Sequence, residues 1–142
     1  MMKSALALLS LSLLFACTPE KKAQAPDEGA HSREHGPHGG KVVEVGAHVA
    51  HLELLHDENA GSITIHVFGK DLQTPMALDK APEIKLGTAE GPRVLPTKAL
   101  DDEKMSFSVT DEALKKHGPQ GRISLEIGAK PYNPSLPHMD DH

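Results

Sequence analysis

The chain has 142 residues, a formal net charge of −5 at pH 7, three Phe, one Tyr and no Trp. This length suits one domain with extensions, the acidic balance argues against a nucleic-acid partner, and the few aromatic rings argue against a stacking platform for bases or sugars. Histidine is the unusual component, with ten residues spread along the chain, because neutral imidazole is the commonest metal ligand in proteins.

Residues 1–16 have the pattern of a bacterial signal peptide, with a basic start and an apolar run too short to span a membrane as a mature helix. The run ends in the letters LFAC at 14–17, which resemble the lipobox of bacterial lipoproteins. The resemblance implies cleavage before Cys17 and lipid attachment to Cys17. Because Thr18 follows, it also implies delivery to the outer membrane, facing the periplasm. The alternative is an ordinary signal peptide with a chance cysteine.

Cys17 is the only cysteine, so the mature domain is expected to contain neither a disulfide nor a thiolate metal ligand. A blue-copper centre is therefore excluded, since it needs a cysteine thiolate beside two histidines. The methionines do not cluster in the sequence, so nothing in their spacing supports specificity for Cu(I).

Residues 17–40 are expected to contain the lipidated cysteine, a flexible polar linker and a histidine-rich arm. The arm reads HSREHGPHGG and contains His31, His35 and His38. Gly and Pro prevent these histidines from sharing one helix face, but a loop can wrap them around an ion. One interpretation is a labile Cu, Zn, Ni or Co site; the other is a soluble spacer rich in histidine.

Residues 47–68 predict a β-hairpin. Alternating apolar residues mark both strands, and the segment HDENAG between them is rich in turn residues. Pairing the apolar faces allows two registers, with either His51 or Glu53 opposite His66. Both registers make His51, Glu53 and His66 neighbours on the outer face, where they could hold a divalent metal. The alternative is three solvated polar residues on an exposed sheet face.

Residues 41–130 are predicted to form the folded domain. A short helix over 110–119, with acids first, lysines last and Gly-Pro after it, is expected to cover one end of the sheets through Leu114. The fold class is mainly β: a small Ig-like β-sandwich of about seven short antiparallel strands with one short helix, and disordered N- and C-terminal extensions. The segments predicted as strands beside the hairpin are 41–45, 83–86, 92–95, 105–110 and 121–127.

Residues 131–142 are rich in proline and are predicted to be a disordered tail. His138 and His142, with the intervening Met and Asp residues, make this tail a second tract of candidate metal ligands.

The sequence HGPHGGKVVEVG from His35, followed by HLEL and an acidic turn, resembles the N-terminal segment of periplasmic adaptor subunits of heavy-metal efflux pumps. The matching motif consists of His35, His38, Gly39 and Gly40. The whole mature chain is similar to small bacterial lipoproteins that are rich in histidine. Adaptors also need a long helical hairpin and a lipoyl-like domain, for which this chain is too short. The resemblance therefore implies a periplasmic metal context, with metal-efflux components as partners, and does not imply pumping.

The function expected is a periplasm-facing lipoprotein that binds a divalent transition metal (Cu, Zn, Ni or Co) for buffering, handover or sensing linked to metal efflux. The alternative is a lipid-anchored β-sandwich that serves as an interaction or structural module of the cell envelope without a physiological metal. An enzyme is not expected, because the chain has no HExxH motif, no GxSxG motif and no free cysteine nucleophile.

Overall fold

The computed structural model describes residues 35–139. They form two antiparallel sheets, one with strand order β1-β2-β3-β7-β6 and the other with order β5-β4-β8-β9. This confirms the predicted small β-sandwich, with nine strands rather than about seven. The strands are β1 Lys41–Val45, β2 Ala50–Asp57, β3 Ser62–Phe68, β4 Glu83–Thr88, β5 Gly91–Pro96, β6 Lys98–Ala99, β7 Ser106–Thr110, β8 Gly121–Ile127 and β9 Lys130–Tyr132.

The core lies between the two sheets and is built from alternate residues of the strands, as the sequence pattern predicts. Phe107 of β7 is its largest fully buried side chain. Each buried aliphatic or aromatic side chain stabilises the fold by roughly 1.5–3 kcal/mol. The fully buried aliphatic residues of the same core cluster include Leu52, Ile63, Ile65, Ile84 and Ile123.

The hairpin of β2 and β3 adopts the second of the two predicted registers, with Glu53 opposite His66 and Leu54 opposite Ile65. In the turn, the side chain of Asp57 accepts a hydrogen bond from the backbone N–H of Ala60 at 2.9 Å. The turn chemistry therefore agrees with the apolar pattern of the strands.

The predicted helix is a single 3-10 turn, Glu112–Lys115. Asp111 caps it by accepting from the backbone N–H of Ala113 at 2.9 Å. Leu114 is fully buried in the core, which is the covering role expected of it. A single turn is the lower limit of the one to two turns predicted within 110–119. Gly118, three residues after the helix, has a left-handed conformation with φ of 61°.

The prediction that residues 131–142 are disordered is wrong for residues 131–139. β9 pairs with the end of β8, and Leu136 N–H then donates to Gly121 C=O at 2.9 Å. Met139 is only 5% exposed and belongs to the core cluster. The segment is ordered because it gains both an edge pairing and apolar burial, neither of which its local composition reveals.

Several predictions concern residues 1–34 and 140–142, which lie outside the described part. They are the signal peptide, the lipidation of Cys17, the linker, and the ligands His31 and His142. No helix within residues 35–139 is long and apolar enough to cross a membrane.

Candidate functional site

The turn between β1 and β2 brings together Glu44, His48 and His51. One ligand atom of each residue lies within 4.8 Å of those of the other two. Glu44 and His51 reach this position because they are directly opposed on the two strands. His48 comes from the turn itself, and its ring centroid lies 6.3 Å from that of His51.

The backbone conformation of the turn brings His48 into contact with the carboxylate of Glu44. His48 has φ of 56°, in the left-handed region, and Gly46 two residues earlier has φ of 62°. His48 N–H donates to Glu44 Oε1 at 3.0 Å, and His48 Nδ1 lies 3.4 Å from Glu44 Oε2. A left-handed residue other than glycine is uncommon and costs conformational energy, and such positions are frequent at functional sites.

The ring of His51 is oriented by the backbone. Its Nδ1 lies 3.0 Å from the carbonyl oxygen of Gly69, which can only accept a hydrogen bond. Nδ1 therefore carries the proton and donates, which leaves the lone pair on Nε2. A histidine that binds a metal through one nitrogen commonly donates from the other nitrogen to a carbonyl or carboxylate.

Two imidazoles and one carboxylate are a ligand set suited to zinc and other divalent transition metals. Glu44 and His48 are exposed and His51 is half-buried, so an ion at this turn would remain accessible to solvent and to exchange. The prediction of a metal ligand set is thus supported in its coarser form: this cluster can hold an ion.

No protein-family model, no curated protein and no solved structure matches this chain.

Sequence reasoning identified His51 but missed its two neighbours. Glu44 lies seven positions before His51 and His48 lies three positions before it. These spacings match one face of a helix, but the segments on both sides of the turn are predicted strands, where an odd spacing places residues on opposite sides. The signal that could have found them is the pairing of β1 with β2, with Gly46 in the turn, since this pairing sets Glu44 opposite His51.

The structure divides the predicted trio of His51, Glu53 and His66. Glu53 and His66 are directly opposed, as one of the two registers requires, but His51 lies opposite Phe68 and belongs to the cluster at the turn. Glu53 is also not on an exposed face, as one alternative held, because its side chain is fully buried.

Glu53 is buried because the loop that precedes β1 folds over it. Its Oε1 accepts from the backbone N–H groups of His38 at 2.7 Å and Gly40 at 2.9 Å. Its Oε2 lies 2.7 Å from His38 Nδ1. A buried carboxylate is tolerated when it is hydrogen-bonded in this way. The residues of the motif HGPHGG therefore have a definite place on the sheet, where the sequence predicted a flexible arm.

The glycines of this loop are explained by close approach. A Cβ on Gly36 would lie 2.5 Å from the side-chain Cδ of Glu53, and a Cβ on Gly40 would lie 2.5 Å from the carbonyl oxygen of Leu54. Gly39 has φ of 83°, a backbone conformation that glycine adopts readily because it has no Cβ.

His66 contacts the same loop. Its ring stacks on that of His38, with centroids 4.1 Å apart and planes 20° apart. Burial lowers the pKa of His66 below its ordinary value and the neighbouring His38 lowers it further, while the carboxylates of Glu53 and Asp101 oppose the shift. Both rings line a pocket of about 240 Å³.

The remaining predicted ligands lie apart from these clusters or outside the described residues. His35 is exposed, and its Nδ1 lies 3.1 Å from the carbonyl oxygen of Gly39. His138 is exposed near the end of the ordered tail. Neither belongs to the group at Glu44, His48 and His51.

Proposed function

We propose that this chain is an envelope lipoprotein that binds a divalent transition metal ion reversibly through Glu44, His48 and His51. The observation that carries the proposal is the convergence of these three ligand atoms within 4.8 Å. The carbonyl of Gly69 adds to it by fixing the tautomer in which His51 offers Nε2.

Reversible binding suits this site better than permanent storage or catalysis. Three protein ligands leave at least one position on the ion for water or for a ligand from another protein. The location at an exposed turn allows such a ligand to approach. These features fit handover or buffering, and by the Irving–Williams order the site would hold Cu(II) most tightly in vitro among Co, Ni, Cu and Zn.

Calorimetric titration of the purified full chain in detergent with Cu(II), Zn(II), Ni(II) and Co(II) tests this proposal. The decisive variant is His48→Asn, because asparagine tolerates the left-handed backbone but removes the imidazole. We expect its affinity for the ion at the turn to fall at least tenfold. The matched control is His117→Asn, an exposed histidine that pairs with Glu58 on another part of the surface, and it should bind as the wild type does.

Equal binding by His48→Asn and the wild type would rule out the turn as the site. If the wild type bound none of the four ions more tightly than millimolar, the alternative of an anchored interaction module without a metal would replace the proposal.

The proposed anchor and metal context need separate experiments. Radiolabelled palmitate should be incorporated into the wild type and not into Cys17→Ser, which should leave the membrane fraction. In the native bacterium, deletion of the gene should lower tolerance to the preferred metal, and the wild-type gene should restore tolerance where His48→Asn does not. Restoration by His48→Asn would contradict a role for this site in metal handling.

A further inference from the structure

We propose that His38 and His66 form a second metal site, in which both imidazoles bind one transition-metal ion through Nε2 while carboxylates orient them through Nδ1. This inference shares with the proposed function the premise that the chain binds a transition metal. It uses different residues, however, so either site can fail without the other.

The tautomer of His38 follows from its contacts with Glu53. Two backbone N–H groups, from His38 and Gly40, already donate to Oε1 of this side chain, which fits an ionised carboxylate. Its Oε2 then accepts from His38 Nδ1 at 2.7 Å. Nδ1 therefore carries the proton and Nε2 carries the lone pair. The His38 side chain is 50% exposed, so an ion can reach it.

The tautomer of His66 is set by a chain of two hydrogen bonds. His66 Nδ1 lies 2.9 Å from Ser106 Oγ, and the Ser106 hydroxyl donates to the carboxylate of Asp101. The hydroxyl has one hydrogen, which is used toward Asp101, so its oxygen accepts from His66 Nδ1–H. The lone pair of His66 is therefore also on Nε2.

In both histidines, a carboxylate thus fixes the proton on Nδ1, directly in one case and through a hydroxyl in the other. Glu53 holds Nδ1 of His38 directly, and Asp101 holds Nδ1 of His66 through a hydroxyl. An outer carboxylate that fixes the tautomer and ring orientation is the arrangement typical of metal-bound histidines, and it raises the basicity of the ligand nitrogen. Because each ring is held through Nδ1, the Nε2 lone pairs of both rings are available to a ligand in the adjoining pocket.

The pocket beside the rings has room for an ion and further ligands. Its volume is about 240 Å³, and Glu103 and Met105 contribute to its lining with the two histidines. Among the described residues, no carboxylate oxygen lies within 4.8 Å of a ligand nitrogen of both histidines. A third donor from Glu103 (a carboxylate) or Met105 (a thioether) therefore requires a side-chain rotation. The lone pairs of rings only 20° from parallel do not converge, so binding requires the rings to tilt toward the ion.

The two sites are neighbours on one face of one sheet. His51 is two residues before Glu53 on β2, and the partners opposite them on β3 are Phe68 and His66. Residues two apart on a strand are separated by roughly 6.5–7 Å. The Phe68 ring centroid lies 6.1 Å from that of His38.

The test uses the full chain in detergent and Zn(II) and Co(II) as probes. Calorimetry compares the wild type with His48→Asn, His66→Gln and the double variant. We expect two ions per chain for the wild type, one for each single variant and none for the double variant. His56→Gln is the matched control, because His56 is also half-buried and its ring is also bonded, to the carbonyl of Leu114; it should bind two ions.

A spectroscopic readout on the wild type does not depend on any variant folding. In long-range ¹H–¹⁵N spectra, Zn(II) should shift Nε2 of His38 and His66 strongly while both Nδ1 atoms remain protonated. Co(II) should give the visible absorption of a low-coordinate site in His48→Asn and lose it in the double variant. Circular dichroism checks that His66→Gln remains folded.

The outcomes separate the two proposals. If His48→Asn binds no ion and the Nε2 signals of His38 and His66 do not move, the second site is refuted and the proposed function stands. If binding is unchanged in His48→Asn and lost in His66→Gln, the proposed function fails and the second site is the true one.

Discussion

His38 donates from its ring Nδ1 to the fully buried carboxylate of Glu53 at 2.7 Å, across a separation of fifteen residues. The backbone N–H groups of His38 and Gly40 donate to Oε1 of the same carboxylate. Together these hydrogen bonds hold the segment HGPHGG against the outer face of β2. The motif therefore encodes a carboxylate-binding loop, whatever else its histidines bind.

Glu53→Gln should destabilise the metal-free protein. The amide keeps one acceptor oxygen but removes the charge that strengthens all three hydrogen bonds, and hydrogen bonds to charged groups contribute about 1.5–3 kcal/mol. We expect the free energy of unfolding to fall by about that amount in urea titrations with chelator present. The control is Glu44→Gln, an exposed residue on the adjacent strand, which should change stability little. Equal effects would show that burial of Glu53 is unimportant.

Gly40→Ala should be far more costly than Gly87→Ala. The added Cβ at position 40 would lie 2.5 Å from the carbonyl oxygen of Leu54, whereas the nearest atom at position 87 is 4.0 Å away. Overpacking against a backbone that cannot move costs about 1–3 kcal/mol. Thermal unfolding of the two variants measures the difference, and a similar melting temperature for both would contradict the close approach of the loop to β2.

The metal-free protein should become less stable as the pH falls below the ordinary His66 pKa of 6.5. Burial, and then His38, lower the pKa of His66 in the folded state, although Glu53 and Asp101 act against this. The unfolded chain therefore takes up this proton at a higher pH than the folded chain does, and protonation favours unfolding. Urea titrations in chelator at pH 7.5 and 5.5 should show the loss, and His66→Gln should reduce it. A His117→Gln control should retain it.

Asp71 should titrate far below its ordinary pKa of 3.8, at about 2. The backbone N–H of Thr74 is the main cause, followed by that of Gln73 and the hydroxyl of Thr74. Because the folded pKa is depressed, the stabilisation is complete above pH 3.8 and disappears as the pH falls through about 2. Carboxyl ¹³C shifts measured against pH report the midpoint. Thr74→Val should raise this midpoint, and an unchanged midpoint would remove the hydroxyl as a cause.

The sequence predicted the sandwich and most of its strands because alternating apolar residues are a local signal. Ser62–Phe68 shows it clearly, and the same alternation reduced the register of β2 and β3 to two choices, one of which is found. β6 has two residues and β9 has three, so neither is long enough to show a period. Their pairing depends on neighbours that lie elsewhere in the chain.

The candidate site was less predictable because its geometry is not local. The meeting of Glu44 with His51 requires the register of β1 and β2, and the position of His48 requires a left-handed turn residue. In the sequence, Glu53 has the pattern of a solvated residue on the outer face of a strand. The loop that buries it precedes β1 in the chain, so a contact between this loop and β2 leaves no local signal. A buried carboxylate and an exposed one have the same local pattern.

The edge strands of the sandwich determine how readily copies of this chain can aggregate by pairing strand to strand. Within the described residues, β5 is an edge strand that contains Pro92 and Pro96, β6 is an edge of only two residues, and β9 contains Pro131. Proline has no backbone N–H to donate, and a short strand offers few backbone groups, so an added strand could form few hydrogen bonds with these edges. Three of the four edges thus resist strand-to-strand aggregation, and the chain can be packed densely without β-sheet polymerisation through them.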